Sequence, residues 1–449
     1  MNESIRPSKL FYNERFPRYC TWILIFLLLF SLLPVSSHAS TGYVPQIVAP
    51  RAVLLDAETG TVLFDQNAGE VTFPASTTKV MTALLVLEKA SLTDVVHIDY
   101  EPGVTGSSMF ILPGESFTVE TLLQAVLIRS ANDAAEVLGR HIAGSVEAFV
   151  DMMNRRATSL GAVNTHFVNP HGLPHPDHVT TAYDLALIAQ EAMKNDVFRE
   201  MVASRSLIIP PTSETEQRVY NNSNRFLWGV GPNHQMMYQG QSTDIYYEPV
   251  DGIKTGYTNS ARNCLISSAV FNDQRFIAVV LNAEQDSIYA DSRALLDYGF
   301  QHFHRVTVVE AGTMTGTLSV LKGTVDSVSL FTDETLSFIF PRNVFAEDIY
   351  REIHLPEDDL LAPVEGGSVL GHIEYYHEGT LLGSVNLVTQ SQVDYLPLYL
   401  RISPMVYGSG ALIFLFLFWQ VQVYRLRRNR MKKRQRQRAE SYRRYESFE

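Results

Sequence analysis

The sequence predicts an α/β domain, an antiparallel sheet with helices, followed by a small all-β domain and a C-terminal transmembrane helix. Three observations carry this. Helical patterns lie between a first hairpin and a last β-meander, so one sheet joins both ends of the first domain. From about Val306 the texture changes to short β-rich runs. Met405 to Val423 is then apolar except for Gln420 and Gln422, and a dense basic run follows it. The chain has 449 residues, 46% hydrophobic and 19% charged, which excludes a disordered protein and leaves ample material for a core.

The elements follow in order. Val53-Leu54-Leu55-Asp56 and Val62-Leu63-Phe64 flank Glu58-Thr59-Gly60, a hairpin pattern. A loop with Pro74 leads into a helix from about Ser76 to Ala90, with Met81, Leu84, Leu85 and Leu87 as its apolar body. Thr118 is a good N-cap for a second helix, which breaks near Ser130. Further helices are predicted from Asp133 to about Ala143, from Val146 to Leu160 with Gly161 as its stop, and near Ala182 to Met193. Strand patterns take over at Gly252 to Gly256, Leu265 to Phe271 and Phe276 to Leu281, and a helix from about Ser287 to Tyr298 closes the domain. Short runs such as Val325-Val328-Leu330 and Val385-Leu387-Val388 make up the all-β domain.

The net charge of −12 divides unevenly. Residues 425–449 carry +8, residues 1–39 carry +2, and the body between them carries −22. Arg6, Lys9, Arg15 and Arg18 precede the apolar run Trp22 to Val35, and Ser37-His38-Ala39 supplies small residues at a cleavage position. Residues 1–39 therefore read as a secretory signal peptide, an uncleaved anchor being the other reading of the same run. The 19 apolar residues near the C-terminus span roughly 28 Å as a helix, enough for the hydrocarbon core. The basic tail puts residues 425–449 in the cytoplasm and the acidic body outside the cell membrane. The expected division is a catalytic domain over 40–303, a β-rich domain over 304–396 and a span over 405–424. An acidic body and a tail placed directly behind a span argue against nucleic acid as a partner. Only Cys20 and Cys264 are present, so signal cleavage would leave no intrachain disulfide, and core size must supply stability.

Three short motifs permit chemistry. Ser76-Thr77-Thr78-Lys79 begins a helix, where positions i and i+3 share a face, so a hydroxyl and an amine can meet. Serine needs a base to become a nucleophile, and lysine is a base only when neutral, a state favoured by burial and by the helix N-terminus. Ser130-Ala131-Asn132 sits at a helix break and Lys254-Thr255-Gly256 in a strand. A chain of this length should show about two Ser-x-x-Lys and about one Ser-x-Asn by chance, but Lys-Thr-Gly only about once in ten such chains. Alone, each has a structural reading: two helix caps and a surface lysine. Order and placement lift them together.

As a set they resemble the signature of penicillin-binding proteins and class A β-lactamases. The chain looks like a low-molecular-mass penicillin-binding protein of the D-alanyl-D-alanine carboxypeptidase family. Phe73-Pro74-Ala75-Ser76, Asn169-Pro170-His171-Gly172-Leu173, Thr180-Thr181-Ala182-Tyr183-Asp184, Val250-Asp251-Gly252-Ile253-Lys254-Thr255-Gly256-Tyr257-Thr258 and Leu295-Leu296-Asp297-Tyr298-Gly299-Phe300 support the likeness, which covers about 45–390. The resemblance implies a serine β-lactamase/D,D-peptidase-like fold that removes the terminal D-alanine from peptidoglycan stem peptides and is trapped by β-lactams. Residue by residue, it implies Ser76 as nucleophile, Lys79 as base and Ser130 as proton relay. It places Asn132 on the substrate amide and Lys254, Thr255, Gly256 and Tyr257 in substrate binding, with the N–H groups of Ser76 and Tyr257 as oxyanion hole. It requires no cofactor or metal.

Two departures stand out. Ala131 replaces the aspartate of the β-lactamase pattern, and Asp286-Ser287-Ile288-Tyr289 lacks the arginine that such enzymes often place beside the carboxylate site. Arg262 and Arg293 are the candidates to compensate. His171, His175 and His178 with Asp177 read as structural rather than as a zinc site, Cys264 as a buried apolar residue, and Asp184 as a loop tether. A D,D-endopeptidase and a non-catalytic β-lactam sensor or wall-binding protein remain the alternatives.

Overall fold

The computed structural model describes residues 44–284, 287–397 and 403–446. The expected signal peptide therefore lies outside the described residues. Strands β1 (Arg51–Asp56) and β2 (Val62–Gln66) form the predicted hairpin. Helix α1 (Lys79–Lys89) is preceded by a 3-10 turn over Ala75–Thr78, so α-helical geometry begins three residues later than Ser76. The reason is local. Thr77 Oγ1 donates to Pro74 O at 2.6 Å and Thr78 Oγ1 to Ala75 O at 2.8 Å, bonds that tighten the first turn.

Short strands β3 (Val95–His97) and β4 (Ser116–Thr118) pair ahead of α2 (Val119–Gln124), which Thr118 caps through Thr121 N. That helix continues as a π-helical turn over Ala125–Arg129 and stops at Ser130, in left-handed backbone at φ 64°. Helices α3 (Asn132–Ala143), α4 (Val146–Ser159) and α5 (Ala182–Ala192) fall where periodicity puts them. Next come α6 (Asp196–Ala203) and two hairpins that sequence reasoning did not separate, β5 (Ser206–Ile209) with β6 (Arg218–Asn221) and β7 (Gln235–Tyr238) with β8 (Gln241–Asp244). The meander is β9 (Val250–Thr258), β10 (Arg262–Phe271) and β11 (Gln274–Ala283), closed by α7 (Ser287–His302).

The main sheet is antiparallel in the order β2-β1-β11-β10-β9. Successive side chains alternate between its faces. Val53, Leu55, Ile277, Val279 and Leu281 pack with Met81, Leu85, Leu122 and Leu138 of the helical layer. Ala52, Leu54, Phe276, Ala278 and Val280 pack with Leu295, Leu296 and Phe300 of α7. Lys254 lies opposite Ile266 in register, which turns it toward the helical layer that carries Ser76.

After α7, β12 (Phe303–Val309), β13 (Met314–Leu321), β14 (Ser327–Thr332), β15 (Leu336–Pro341), β16 (Tyr350–His354), β17 (Leu360–Leu361), β18 (Val369–His377) and β19 (Thr380–Val388) build the all-β domain. Its larger sheet runs β16-β18-β19-β14-β13-β17, over small cores around Leu330, Ile373 and Leu387 and around Val320 and Val393. Nine residues after Tyr395, α8 (Pro404–Glu446) begins, and it runs unbroken through the apolar stretch and the basic tail. It is long and apolar enough to cross a membrane and fits an anchor.

Glu115 ties the first missed hairpin to the domain. Its fully buried carboxylate accepts both 2.8 Å bonds from Arg218 and the hydroxyls of Thr212 and Thr215. Breaking one partner of such a pair strands the other. Glu115→Ala is expected to lower unfolding free energy by about 3–5 kcal/mol, measured by urea unfolding of the purified protein.

Candidate active site

Ala75 adopts φ 48°, a left-handed conformation rare for a residue with a Cβ, and turns the chain so that Ser76 emerges at the start of the 3-10 turn. One turn on, Lys79 is completely buried. Its Nζ lies 3.0 Å from Ser76 Oγ, 2.7 Å from Asn132 Oδ1 and 2.6 Å from His171 O. Asn132 Oδ1 and His171 O are acceptors only in this arrangement, so they take both hydrogens of a neutral amine. The remaining lone pair is then left for the Ser76 hydroxyl. Burial first, and the like charge of Lys254 second, hold Lys79 well below the ordinary lysine range, against a smaller opposing pull from Asp133.

A loop and a strand close around this pair. A Cβ on Gly172 would fall 1.8 Å from Ala75 O, and Gly172 sits at φ +87°, so only glycine lets the 169–173 loop bring His171 O to Lys79. A Cβ on Gly256 would lie 2.9 Å from Ser76 N, so β9 runs directly past the Ser76 amide. His178 makes a fixed neutral contact. Its Nδ1 accepts from Val168 N at 3.0 Å, which leaves Nε2 to donate to Thr78 Oγ1 at 2.9 Å. Burial takes both His171 and His178 down to about 3. Both nitrogens of His178 are thus engaged within the fold. Asp184 accepts from Asn164 N and Thr165 Oγ1 and acts as a tether. Cys264 is buried, and burial pushes its thiol up to about 12.

A cleft of about 410 Å³ opens beside Ser76, and Ser130, Thr255, Gly256 and Tyr257 line it. Behind its wall, Lys79, Asn132 and Lys254 are buried. All eight residues singled out in the sequence therefore belong to one cleft or its backing. Lys254 Nζ donates to Thr255 O at 3.0 Å, and burial brings its pKa down to about 7. The Asn132 amide is already engaged at both ends, accepting from Lys79 and donating to Thr105 O at 2.6 Å. It holds Lys79 directly, and the second hydrogen of Nδ2 is left for a further acceptor. Asp133 accepts from Ser108 Oγ, Met109 N and Ile111 N and so fixes the loop that lends Ser107 to the cleft.

The two arginines considered as replacements at 286–289 are both paired with carboxylates, Arg262 in an exposed pair beside Tyr257 and Asn263. Arg262 forms a two-pronged pair with Glu284, and Arg293 stacks on Tyr238 and Tyr247 beside Asp297. Arg129 and Arg225 line the cleft instead. The Arg225 loop is rigidly placed. Ser223 N donates to Ile128 O, Ser223 Oγ accepts from Thr255 Oγ1 at 2.8 Å, and Asn224 Nδ2 donates to Gly252 O. Arg225 N donates to Tyr289 OH, Nη2 donates to Asn233 O, and the guanidinium centre stands 5.9 Å from the Tyr289 ring. Its Nε is buried without a hydrogen-bond partner among the described residues. Sequence reasoning missed this residue. The only signal was the turn-forming run Asn222-Ser223-Asn224, which is too short for periodicity.

The family described as D-alanyl-D-alanine carboxypeptidase matches residues 38–285, and the one described as the penicillin-binding protein 5 C-terminal domain matches residues 303–395. The chain is 33% identical to D-alanyl-D-alanine carboxypeptidase DacF of Bacillus subtilis, over 74% of this chain and 83% of that one. It is also 33% identical to D-alanyl-D-alanine carboxypeptidase DacC of Escherichia coli, over 82% and 90%. Penicillin binding protein 5 of Haemophilus influenzae superimposes with a TM-score of 0.63 at 28% identity, covering 78% of this chain and 99% of its own. With Ser76 in the cleft against a buried Lys79, its strand-borne Lys-Thr-Gly and matches across both domains, the chain belongs to the D-alanyl-D-alanine carboxypeptidase family.

Proposed function

We propose that this chain is a serine-type D-Ala-D-Ala carboxypeptidase that trims peptidoglycan stem pentapeptides from outside the cell membrane. The observation that carries the mechanism is the 3.0 Å approach of Ser76 Oγ to a desolvated Lys79 whose other two partners are acceptors. Neutral Lys79 takes the Ser76 proton as Oγ adds to the carbonyl between the two D-alanines. The N–H groups of Ser76 and Tyr257 stabilise the resulting oxyanion. Ser130 passes a proton to the departing D-alanine amine, and the C–N bond breaks to leave an acyl-enzyme. Water then attacks the ester, releasing the shortened peptide and regenerating Ser76. β-Lactams present the same reactive amide and acylate Ser76.

Thr255 and Arg225 bind the free carboxylate of the terminal D-alanine, with Lys254 adding positive potential behind them. Arg225 meets the need that the 286–289 stretch leaves open, and a cation aimed at a free C-terminus favours the carboxypeptidase over the endopeptidase reading. Residues 1–39 act as a cleaved signal, residues 405–424 span the membrane and residues 425–449 lie in the cytoplasm. The −22 body, with catalytic domain 40–303 and β domain 304–396, then faces the wall.

Penicillin is expected to add its mass to Ser76, with the adduct and D-alanine release both absent in Ser76→Ala by mass spectrometry. A folded protein that takes up no β-lactam would refute the mechanism. Lys79→Ala should slow acylation by about 10²–10⁴-fold. The pH profile of kcat/KM should be bell-shaped. The rate rises as Lys79 loses its proton and becomes a base, and falls as Lys254, with its pKa near about 7, loses its charge. Lys254→Arg should move only the falling limb, upward. Arg225→Ala should lower kcat/KM for a free-carboxylate pentapeptide by about 10–100-fold, while leaving hydrolysis of an amidated peptide nearly unchanged.

A further inference from the structure

The outer face of the β domain carries a feature that wall-peptide hydrolysis does not use. Strand β16 lies at the sheet edge, exposed along all five residues, and among the described residues pairs only with β18. Their antiparallel register sets Tyr350 opposite Tyr376, Glu352 opposite Glu374 and His354 opposite His372. These alternate residues share one face, so three cross-strand pairs of identical residues stand side by side. The tyrosine rings stack at 5.1 Å and the imidazoles at 4.8 Å. Between them two carboxylates face each other. Like charges directly opposite across a strand pair are destabilising unless something neutralises them.

The donor atoms already converge. His354 Nε2 lies 3.1 Å from Glu374 Oε2 and 4.0 Å from Glu352 Oε2, and His372 Nε2 lies 3.7 Å from Glu374 Oε1. The ligand atoms of His354, His372 and Glu374 all fall within 4.8 Å of one another. A tetrahedral zinc ion with bonds of about 2.0–2.1 Å needs donors about 3.3 Å apart, so modest side-chain rotation completes the site. Tyr376 OH donates to Glu374 Oε2 at 2.5 Å, the kind of outer contact that orients a metal-binding carboxylate. Two imidazoles with carboxylate favour Zn²⁺ and its borderline neighbours over Mg²⁺ or Ca²⁺. The side chains of His354 and His372 are 45% and 44% exposed, so an ion reaches them from solvent.

We propose that His354, His372 and Glu374, with Glu352 as fourth ligand, form a Zn²⁺ site that clamps edge strand β16 to β18. The detergent-solubilised full chain, stripped with a chelator, should take up about one equivalent of Zn²⁺ by calorimetry. The unfolding temperature should climb with Zn²⁺ concentration. Mg²⁺ at equal concentration should do neither. A His354→Ala/His372→Ala double variant should lose both responses while keeping the metal-free unfolding temperature of the wild-type chain and its D-alanine release, which together certify the fold of both domains. Tyr376→Phe should weaken binding by about tenfold or more. Absence of Zn²⁺ uptake by the wild-type chain, or equal uptake by the double variant, would overturn the site.

Discussion

The catalytic domain is organised around one amine without water. Lys79 Nζ has no solvent to hydrate it, so every group that meets it must be supplied by a separate part of the chain. Ser76 comes from the same turn, Asn132 from the start of α3, and His171 O from a loop some ninety residues away. A buried ammonium is costly and a buried neutral amine is cheap. Withdrawing water therefore does two things at once: it favours the neutral amine and forces the three segments into register.

That requirement explains much of the surrounding architecture. Close approach to the Ser76 turn admits no Cβ at Gly172 or Gly256. The left-handed backbone of Ala75 and Ser130 aims two hydroxyls at one cleft. Asp133, Asn222 and Asn224 spend their side chains on backbone groups of neighbouring loops, which makes those loops parts of a rigid wall. The second buried lysine, Lys254, sits on the sheet face turned to the same layer. Its charge lowers the proton affinity of the first.

How much of this was legible in the sequence depended on what each residue had to bury. The main sheet and its helices were readable because their apolar residues repeat at two and at 3.6, as Leu54 and Phe276 on one face and Val53 and Ile277 on the other still show. The hairpins between Ser206 and Asp244 were not, because each of their strands has only 4 residues, too few for alternation to stand out, and Gln241–Asp244 buries almost nothing. The three motifs were readable from spacing and order. The 3-10 start of the helix was not, since it arises from threonine hydroxyls competing for backbone carbonyls. Nor was Arg225, whose place in the cleft is set by its loop's bonds to Ile128 and Gly252, contacts far apart along the chain.

The link from the last paired residue of the β domain to the anchor helix has a consequence for where the enzyme can work. From Tyr395 to Pro404 the backbone reaches at most about 30 Å when fully extended. Were α8 seated in a bilayer as an anchor, a link of that length would hold the folded body close to the lipid surface. Its motion would then be confined to two dimensions rather than three. A polymeric substrate would be met at a local concentration set by the length of the link. Lengthening or shortening those few residues would retune which layer of polymer is trimmed, without touching any residue of the cleft.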